Sequence, residues 1–167
     1  MASSTHIRPA TAADTDLIVE LVRDLAVYEK LEDMFVATPA VIREALFASE
    51  RPPAEVLIAE LDGKGVGFAL FFHNYSTFLG KKGIYLEDLF VKPEARGHGL
   101  GKGLLRGLAQ IAVQRDCARM EWSVLDWNTP SIDFYKSLGA APMEGWHVFR
   151  MTREAVGALA EGSPGAK

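Results

Sequence analysis

The sequence predicts an α/β fold in which helices flank a mixed, mostly antiparallel sheet. Helical and strand-like apolar patterns follow one another in the order β-α-α-β-β-β-α-β-α-β. The central strands are joined by short, glycine-containing turns typical of antiparallel hairpins, whereas helices separate the later strands. The 167 residues, of which 49% are hydrophobic and 24% charged, are enough for one soluble domain with a buried core.

The first 50 residues are predicted to contain one strand and two helices. Residues 6–10 have the composition of a short strand. Thr11 and Asp14 have the spacing of a capping box that begins the first helix. The apolar residues of this helix lie on one face: Leu17, Ile18, Leu21, Val22, Leu25 and Tyr28. Pro39, directly after Thr38, is typical of the first position of a second helix.

The remaining elements follow from turn residues and apolar spacing. Strands are predicted at 56–61, 66–72, 84–91, 120–124 and 146–151, with a polar loop at 73–77 and a turn at 80–83. The third helix follows a glycine-rich turn, and a fourth begins at Asn128-Thr129-Pro130, with Thr129 as its cap, and ends at Gly139. We expect one domain over residues 1–160 and a disordered tail over 161–167.

The turn between the strand at 84–91 and the third helix is the strongest functional signal. The first turn of a helix has unsatisfied N–H groups, and its dipole favours an anion such as phosphate. The dinucleotide pattern G-x-G-x-x-G and the P-loop do not fit, but the turn has the form R-x-x-G-x-G at Arg96, Gly99 and Gly101. The alternative interpretation is a tight turn whose glycines only let the helix pack on the sheet.

This turn resembles the pyrophosphate loop of the GNAT superfamily of acetyl-CoA-dependent N-acetyltransferases. Other segments resemble its diamine acetyltransferase branch, which comprises spermidine/spermine N-acetyltransferase and its thialysine N-acetyltransferase relatives. These segments are residues 7–11, 28–29, 85–88, 126–128, 134–136, 138–140 and 144–146. The resemblance implies the GNAT fold, acetyl-CoA as cosubstrate, a small primary amine as acetyl acceptor and a homodimer.

The resemblance also implies which residues bind the cofactor. Backbone groups of one strand would bind the pantetheine, a bulge there would aim an N–H at the thioester oxygen, and the glycine turn would bind the pyrophosphate. The implied residues are Leu89, Phe90, Val91, Arg96, Gly97, His98, Gly99, Leu100, Gly101, Lys102, Asn128, Ser131 and Tyr135. Asn128 and Ser131 have helix capping as an alternative role.

Two residues are implied to move protons. Acetyl transfer from a thioester expels a thiolate, and the resemblance assigns its protonation to Tyr135, since a phenol can act as a positioned acid. The alternative is that Tyr135 is a core aromatic beside Ile132 and Leu138. Glu87 is assigned to take the proton of the substrate ammonium through water, because only a neutral amine attacks. Glu87 and Asp88 are adjacent in a strand and are expected on opposite faces, and the alternative interpretation is a pair on the surface of an edge strand.

The amine site is expected to be acidic. The resemblance assigns Tyr28, Glu29, Glu87, Asp88, Glu144 and Trp146 to the substrate side. Polyamine-type members carry an acidic residue and a tryptophan in the loop after the third strand, whereas this chain has Ser76 and Thr77. These hydroxyls predict a thialysine-like, lysine-like or ornithine-like amine, or a short diamine, in preference to spermine. The alternative is that both are ordinary turn residues.

Composition excludes several other classes of protein. A net charge of −4 without a long basic run argues against nucleic acid as a partner. The chain has no signal peptide pattern and no long apolar run, which indicates a cytoplasmic protein that does not associate with membranes. The histidines lack metal-ligand spacing, so we expect no metal. Cys117 lies outside every motif, which favours direct transfer in a ternary complex. The competing functions are a catalytically inactive acyl-CoA-binding module and an acetyltransferase of protein N-termini or lysines.

Overall fold

The computed structural model describes residues 3–162 and shows two compact units, one ending at Ser123 and the other beginning at Val124. The first unit contains the strands β1 (Thr5–Pro9), β2 (Glu55–Leu61), β3 (Lys64–Ser76), β4 (Lys81–Val91) and β5 (Met120–Trp122), and the helices α1 (Thr15–Glu29), α2 (Pro39–Arg43) and α3 (Leu100–Gln114). The second unit contains α4 (Thr129–Ser137) and α5 (Arg153–Ala160).

The five strands form one sheet in the order β1-β2-β3-β4-β5. The pairs β1–β2, β2–β3 and β3–β4 are antiparallel, and β5 runs parallel to β4. A parallel pair needs a crossover connection, which α3 provides between β4 and β5. The predicted mixed, mostly antiparallel sheet is therefore confirmed.

Helices cover both faces of this sheet. On one face α1 buries Ile18 and Leu21 against Phe68 and Phe90 of the two central strands. On the other face α3 packs on β1 and β2. A Cβ at Gly103 would lie 3.2 Å from Ile7 Cγ1, and a Cβ at Gly107 would lie 3.1 Å from Leu57 Cδ1. These two glycines let the helix approach the sheet closely.

An ion pair joins the start of α1 to the first two strands. Arg8 donates from Nη1 and Nη2 to the two carboxylate oxygens of Asp14, both at 2.8 Å, and from Nε to Glu60 at 2.7 Å. Asp14 is buried and also accepts from the Thr11 N–H at 2.7 Å, as the capping-box spacing predicts. The hydrogen bonds from Arg8 lower the pKa of Asp14 from 3.8 to about 2.

We expect Asp14→Asn to lower the free energy of unfolding by about 2 kcal/mol at pH 7, because the native state then loses the stabilised carboxylate. Because the pKa of Asp14 is lower in the native state, the carboxylate stabilises the fold at pH values above the unfolded pKa of 3.8. This stabilisation is lost as the pH falls towards the native pKa of about 2. Urea unfolding at several pH values should therefore show the difference from wild type shrinking below pH 4. Asp116→Asn, which removes the exposed pair with Lys81, is the control and should cost under about 1 kcal/mol.

The hairpin of β3 and β4 is longer than the sequence predicts. Residues 73–76, predicted as a polar loop, continue β3, and Tyr75 and Ser76 pair with Lys82 and Lys81. Cross-strand pairing extends the ladder through polar residues that have no strand signal of their own. The turn lies at residues 77–80 instead of 80–83.

The second unit departs most from the prediction. Asn128, not Thr129, is the N-cap of α4, and its side chain accepts from the Ser131 N–H at 3.4 Å. Gly139 follows the helix with a φ of +90°.

The predicted last strand at 146–151 is wrong, since these residues form neither strand nor helix and Phe149 is 93% exposed. The chain instead forms α5, which Thr152 caps. Apolar alternation favours a strand only where another strand pairs with it. Glu161 and Gly162 form a turn, and the rest of the predicted tail lies outside the described residues.

Candidate active site

The glycine turn has the geometry of an anion site. Gly97 and Gly99 have φ values of +83° and +76°, and a Cβ at either would meet no atom within 4 Å. Gly101 lies in the first turn of α3. The close helix–sheet packing is made by Gly103 and Gly107 instead, so packing alone does not explain the glycines of the turn. Open space beside Gly97 and Gly99 allows a ligand to approach their backbone.

The first turn of α3 has no side-chain cap. Gly99 is the N-cap, and the first intrahelical bond from this end joins the Gly103 N–H to the Gly99 carbonyl. The N–H groups of Leu100, Gly101 and Lys102 come before this bond and therefore have no acceptor within the helix. The first turn also contains no acidic residue. Lys102 is exposed there. Positive dipole, free donors and a lysine together suit a pyrophosphate.

Two further side chains of the turn fold back onto the protein. The Nδ1 atom of His98 lies 3.2 Å from the Ala95 carbonyl oxygen and 3.1 Å from that of Arg96. Arg96 donates from Nε to the Val91 carbonyl at 3.1 Å, and its Cζ atom lies 5.0 Å from the centre of the Tyr28 ring. No sequence pattern predicts the contact between Arg96 and Tyr28, because the two residues are far apart in the chain.

A β-bulge interrupts β4 at Glu87. Leu86 pairs with Phe71 and Asp88 pairs with Leu70, so Glu87 has no partner on β3. Asp88 thereby joins the α1 face of the sheet, whereas Leu86 lies on the α3 face. The strict alternation expected for Glu87 and Asp88 does not hold across the bulge. Without the extra residue, Asp88 would point to the same side as Leu86.

The bulge also marks the end of the pairing between β4 and β5. This pairing covers only Ile84 to Leu86. The Lys92 N–H donates to the Val66 carbonyl of β3. Because hydrogen-bonded positions alternate along an antiparallel strand, Phe90 also bonds to β3. The N–H and C=O groups of Leu89 and Val91 therefore point away from β3, towards the other edge of β4. Leu89 and Val91 thus present backbone groups to an extended ligand, although the Val91 carbonyl accepts from Arg96. Phe90, predicted with them, uses its backbone within the sheet.

The charges of two carboxyl groups, Glu87 and Glu29, act on a third, Asp88, beside the bulge. Glu87 is exposed, whereas Asp88 and Glu29, the last residue of α1, are partly buried. Burial, followed by the charges of Glu87 and Glu29, raises the pKa of Asp88 from 3.8 to about 6. Burial also raises the pKa of Glu29. Every charge that acts on Asp88 raises its pKa, so no cationic side chain among residues 3–162 neutralises it. The cluster therefore suits a cationic ligand.

We expect Asp88→Asn to stabilise the ligand-free protein by about 1–3 kcal/mol at pH 8, because it removes the cost of charging a partly buried carboxyl. A native pKa raised from 3.8 to about 6 means that stability falls as pH rises through this window. Thermal unfolding should show this gain at pH 8 and almost none at pH 4, where Asp88 is protonated. The control is Asp133→Asn on the exposed surface of α4, which should change little at either pH.

The predicted residues of the second unit lie on or near α4. Asn128 is buried and caps the helix through the Ser131 N–H, which is the alternative role that the sequence left open for both residues. Tyr135 is partly buried, and no residue of α4 is fully buried. Its ring centroid lies 5.6 Å from that of Phe134.

The hydroxyl residues proposed for substrate selection are not near the carboxyl cluster. Ser76 lies six residues beyond Leu70, the partner of Asp88, which places it about 20 Å away along the sheet. It is buried, and its Oγ accepts from the Leu79 N–H at 3.2 Å. Ser76 thus ends β3, and its hydroxyl stabilises the turn at residues 77–80. Thr77 is exposed in the same turn. In the second unit, Glu144 and Trp146 are also exposed.

Cys117 has a histidine neighbour that the sequence did not predict. Its Sγ lies 3.8 Å from His73 Nδ1. However, His73 Nε2 lies 2.9 Å from Arg115, which can only donate, and Nδ1 lies 2.9 Å from the Gly83 carbonyl oxygen. Because Nε2 accepts, Nδ1 carries the proton and cannot take one from the thiol. This geometry gives Cys117 no base and agrees with transfer that bypasses it.

Within residues 3–162, no group of three or more His, Cys, Asp or Glu side chains is arranged to hold a metal ion. Nor does any helix there combine the length and the apolar composition needed to cross a membrane.

Several known proteins and one family model are similar to this chain. The model of the Acetyltransferase (GNAT) family matches residues 19–140. The thialysine N-epsilon-acetyltransferase of Bos taurus is 40% identical over 165 residues, which cover 92% of this chain and 96% of that protein. An L-ornithine N5-acetyltransferase of Arabidopsis thaliana is 32% identical, covering 93% of this chain and 87% of that protein. A solved integron cassette protein from the mobile metagenome of V. cholerae superposes with a TM-score of 0.78 at 28% identity, covering 95% of this chain and 98% of that one.

Proposed function

Since this chain belongs to the GNAT acetyltransferase family, we propose that it acetylates the terminal amine of a small cationic amino acid or short diamine. The proposed acceptors are thialysine, lysine-like and ornithine-like amines. Acetyl-CoA, the acetyl donor of this family, would bind with its pyrophosphate at the turn of Gly97 and Gly99 and its pantetheine along Leu89 and Val91.

The carboxyl cluster is the observation that carries this proposal. The charges of Glu87 and Glu29 add to burial in raising the pKa of Asp88, and no described cation neutralises Asp88. An ammonium group bound there would replace this repulsion with attraction. The cluster adjoins the strand segment whose free backbone groups suit the pantetheine. The reacting amine and the thioester would thus meet beside the bulge at Glu87.

The proposed reaction is a direct transfer in a ternary complex. Glu87 takes one proton from the bound ammonium through water, while Asp88 holds the cation before that step. The neutral nitrogen then attacks the thioester carbonyl, the C–N bond forms and the C–S bond breaks. A proton from Tyr135 neutralises the departing thiolate, and the second proton of the amine is released to solvent. A backbone N–H of the bulged strand stabilises the oxyanion.

The choice of acceptor rests on the names of two relatives. The Bos taurus relative is named for thialysine and the Arabidopsis thaliana relative for ornithine, and both proteins align with nearly all of this chain.

A turnover assay with acetyl-CoA across a panel of amines tests this proposal. The panel contains thialysine, lysine, ornithine, 1,3-diaminopropane, spermidine, spermine and a lysine-containing peptide. We expect the highest kcat/KM for an amino acid or short diamine. A tenfold preference for spermine or spermidine, about 1.4 kcal/mol of transition-state energy, would contradict the proposed acceptor class. Peptide acetylation alone would indicate a protein acetyltransferase, and cofactor binding without turnover an inactive binding module.

We also propose a homodimer. Its support is exposed apolar surface in each unit, which monomers rarely leave uncovered in large patches. In the first unit, Phe78 is 98% exposed beside Tyr75 and Leu79 at the tip of the long hairpin. In the second, Val148 and Phe149 are almost fully exposed in the segment whose alternation is typical of a strand. Sedimentation velocity of the wild type should give the mass of two chains, and Phe78→Ser combined with Phe149→Ser should shift it towards one.

A further inference from the structure

Before the bulge, the sheet presents a row of partly exposed side chains on the face that also holds Asp88. Tyr85 precedes Leu86, which lies on the α3 face, so by alternation Tyr85 lies on the α1 face. Its ring centroid lies 5.2 Å from that of Phe72, its cross-strand partner on β3. Its hydroxyl lies 3.0 Å from the Oγ atom of Ser123. An aromatic pair thus lies next to the carboxyl cluster.

An ion pair at β5 continues this row. Glu121 pairs with Tyr85 in the parallel ladder, and Arg119 donates from Nε to its Oε2 atom at 2.8 Å. Asn74 of β3 donates from Nδ2 to the same oxygen, also at 2.8 Å. To reach β5, the Asn74 side chain crosses β4 over Gly83, where a Cβ would lie 2.5 Å from Asn74 Oδ1. The glycine therefore lets three strands hold one carboxylate.

This arrangement leaves polar atoms available to a ligand. Both hydrogen bonds end on Oε2, and within residues 3–162 neither Oε1 of Glu121 nor the Nη atoms of Arg119 have a partner. The side chains of Arg119 and Glu121 are 40% and 32% exposed, so a solute can reach them. Asn74 Oδ1 is buried and has no hydrogen-bond partner among the described residues. Such an unpaired oxygen costs free energy, so the Asn74 amide is oriented by its bond to the carboxylate.

We propose that Arg119 and Glu121 bind the α-amino acid end of the substrate, Arg119 its carboxylate and Glu121 its ammonium group. The inference rests on the proposed function, which places the reacting amine beside Glu87 and the pantetheine along the strand after the bulge. The rest of the substrate then extends in the other direction, over the row that precedes the bulge. An amino acid carries both charges at its α-carbon, and the ion pair offers the opposite charge to each.

The spacing along β4 suits a lysine-like chain. Tyr85 lies two residues before Glu87, which is about 7 Å along a strand. An extended chain from the terminal nitrogen of lysine to its α-carbon spans about 6 Å at ordinary bond geometry. The α-carbon would therefore reach the level of Glu121, the ladder partner of Tyr85, with the methylene groups over the rings of Tyr85 and Phe72. A diamine has no carboxylate for Arg119, and that cation repels its second ammonium group.

Paired substrates with and without the carboxylate test this inference. Lysine is compared with 1,5-diaminopentane, and ornithine with 1,4-diaminobutane, in steady-state kinetics at saturating acetyl-CoA. We expect wild type to prefer the amino acid by at least about tenfold in kcat/KM, the effect of one charge-assisted hydrogen bond. Arg119→Met should bring this preference close to one, mainly by raising KM for the amino acid, because the contact is the same in the ground state and the transition state.

Other variants separate recognition from a general effect on the sheet. Glu121→Gln should weaken the amino acid and the diamine together, since both carry a second ammonium group. Arg119→Lys keeps the charge and should restore part of the preference. Arg106→Met removes the same charge from the exposed surface of α3, on the other face of the sheet, and should keep the wild-type preference. Each variant should keep the wild-type KM for acetyl-CoA, which a merely structural role for Arg119 would change.

The outcomes distinguish this inference from the proposed function. If amines are acetylated but wild type does not prefer the amino acid over its diamine, or if Arg119→Met keeps the preference, the role of Arg119 is wrong and the proposed function stands. If no amine of the panel is acetylated, the proposed function fails and the inference fails with it.

Discussion

Tyr135→Phe is expected to lower kcat by about 10²- to 10⁴-fold, the range typical of losing a general acid. The substitution keeps the ring and removes only the hydroxyl, so helix α4 and the affinity for acetyl-CoA should change little. Steady-state kinetics with the best amine give kcat, and calorimetric titration with CoA gives the affinity. Without the proton from Tyr135, the thiolate is a poorer leaving group, so the step in which the C–S bond breaks becomes slower.

Tyr75→Phe provides the matched control for this prediction. It removes the same hydroxyl from an exposed residue of β3 and should leave kcat within about threefold of wild type, as expected for a surface change. Turnover of Tyr135→Phe near the wild-type rate would mean that this tyrosine only packs on α4.

Cys117→Ala should remain active, and an acetyl group found on Cys117 by mass spectrometry would overturn direct transfer.

Gly99→Val is expected to abolish binding of acetyl-CoA. The residue caps α3 with a φ of +76°, which a β-branched side chain adopts only with strain of roughly 1–3 kcal/mol. The new side chain would also fill the open space through which a pyrophosphate reaches the backbone. Wild type should show a rise in melting temperature with acetyl-CoA, because a ligand bound only to the native state stabilises it, and the variant should show none.

Gly80→Val separates the loss of binding from strain in the backbone. Gly80 also has a positive φ, +62°, and open space around it, but it lies in the hairpin turn between β3 and β4. Both variants should lose stability to a similar degree, whereas only Gly99→Val should lose the ligand-induced shift. A normal shift in Gly99→Val would remove the glycine turn from the cofactor site.

Some features of the candidate site can be predicted from local sequence patterns, and others cannot. The R-x-x-G-x-G turn and the carboxyls near it could be found from the sequence, because each is a local pattern. The pattern at Glu87 and Asp88 gave the residues but not their directions, since a single unpaired residue changes the face of everything after it. Ser76 shows a different error. Its hydroxyl was predicted to contact substrate, but it accepts a hydrogen bond from a backbone N–H of the adjoining turn.

The sequence by itself determined the main helices and strands, their order through β5 and the position of the glycine turn. These features follow from apolar periodicity, capping residues and glycines, which act over a few residues. Only the tertiary structure decided the bulge at Glu87, the raised pKa of Asp88, the contact of Arg96 with Tyr28 and the absence of a strand at 146–151. Each of these depends on which distant segment lies opposite a residue, since strand pairing, burial and charge interaction are set by neighbours in space.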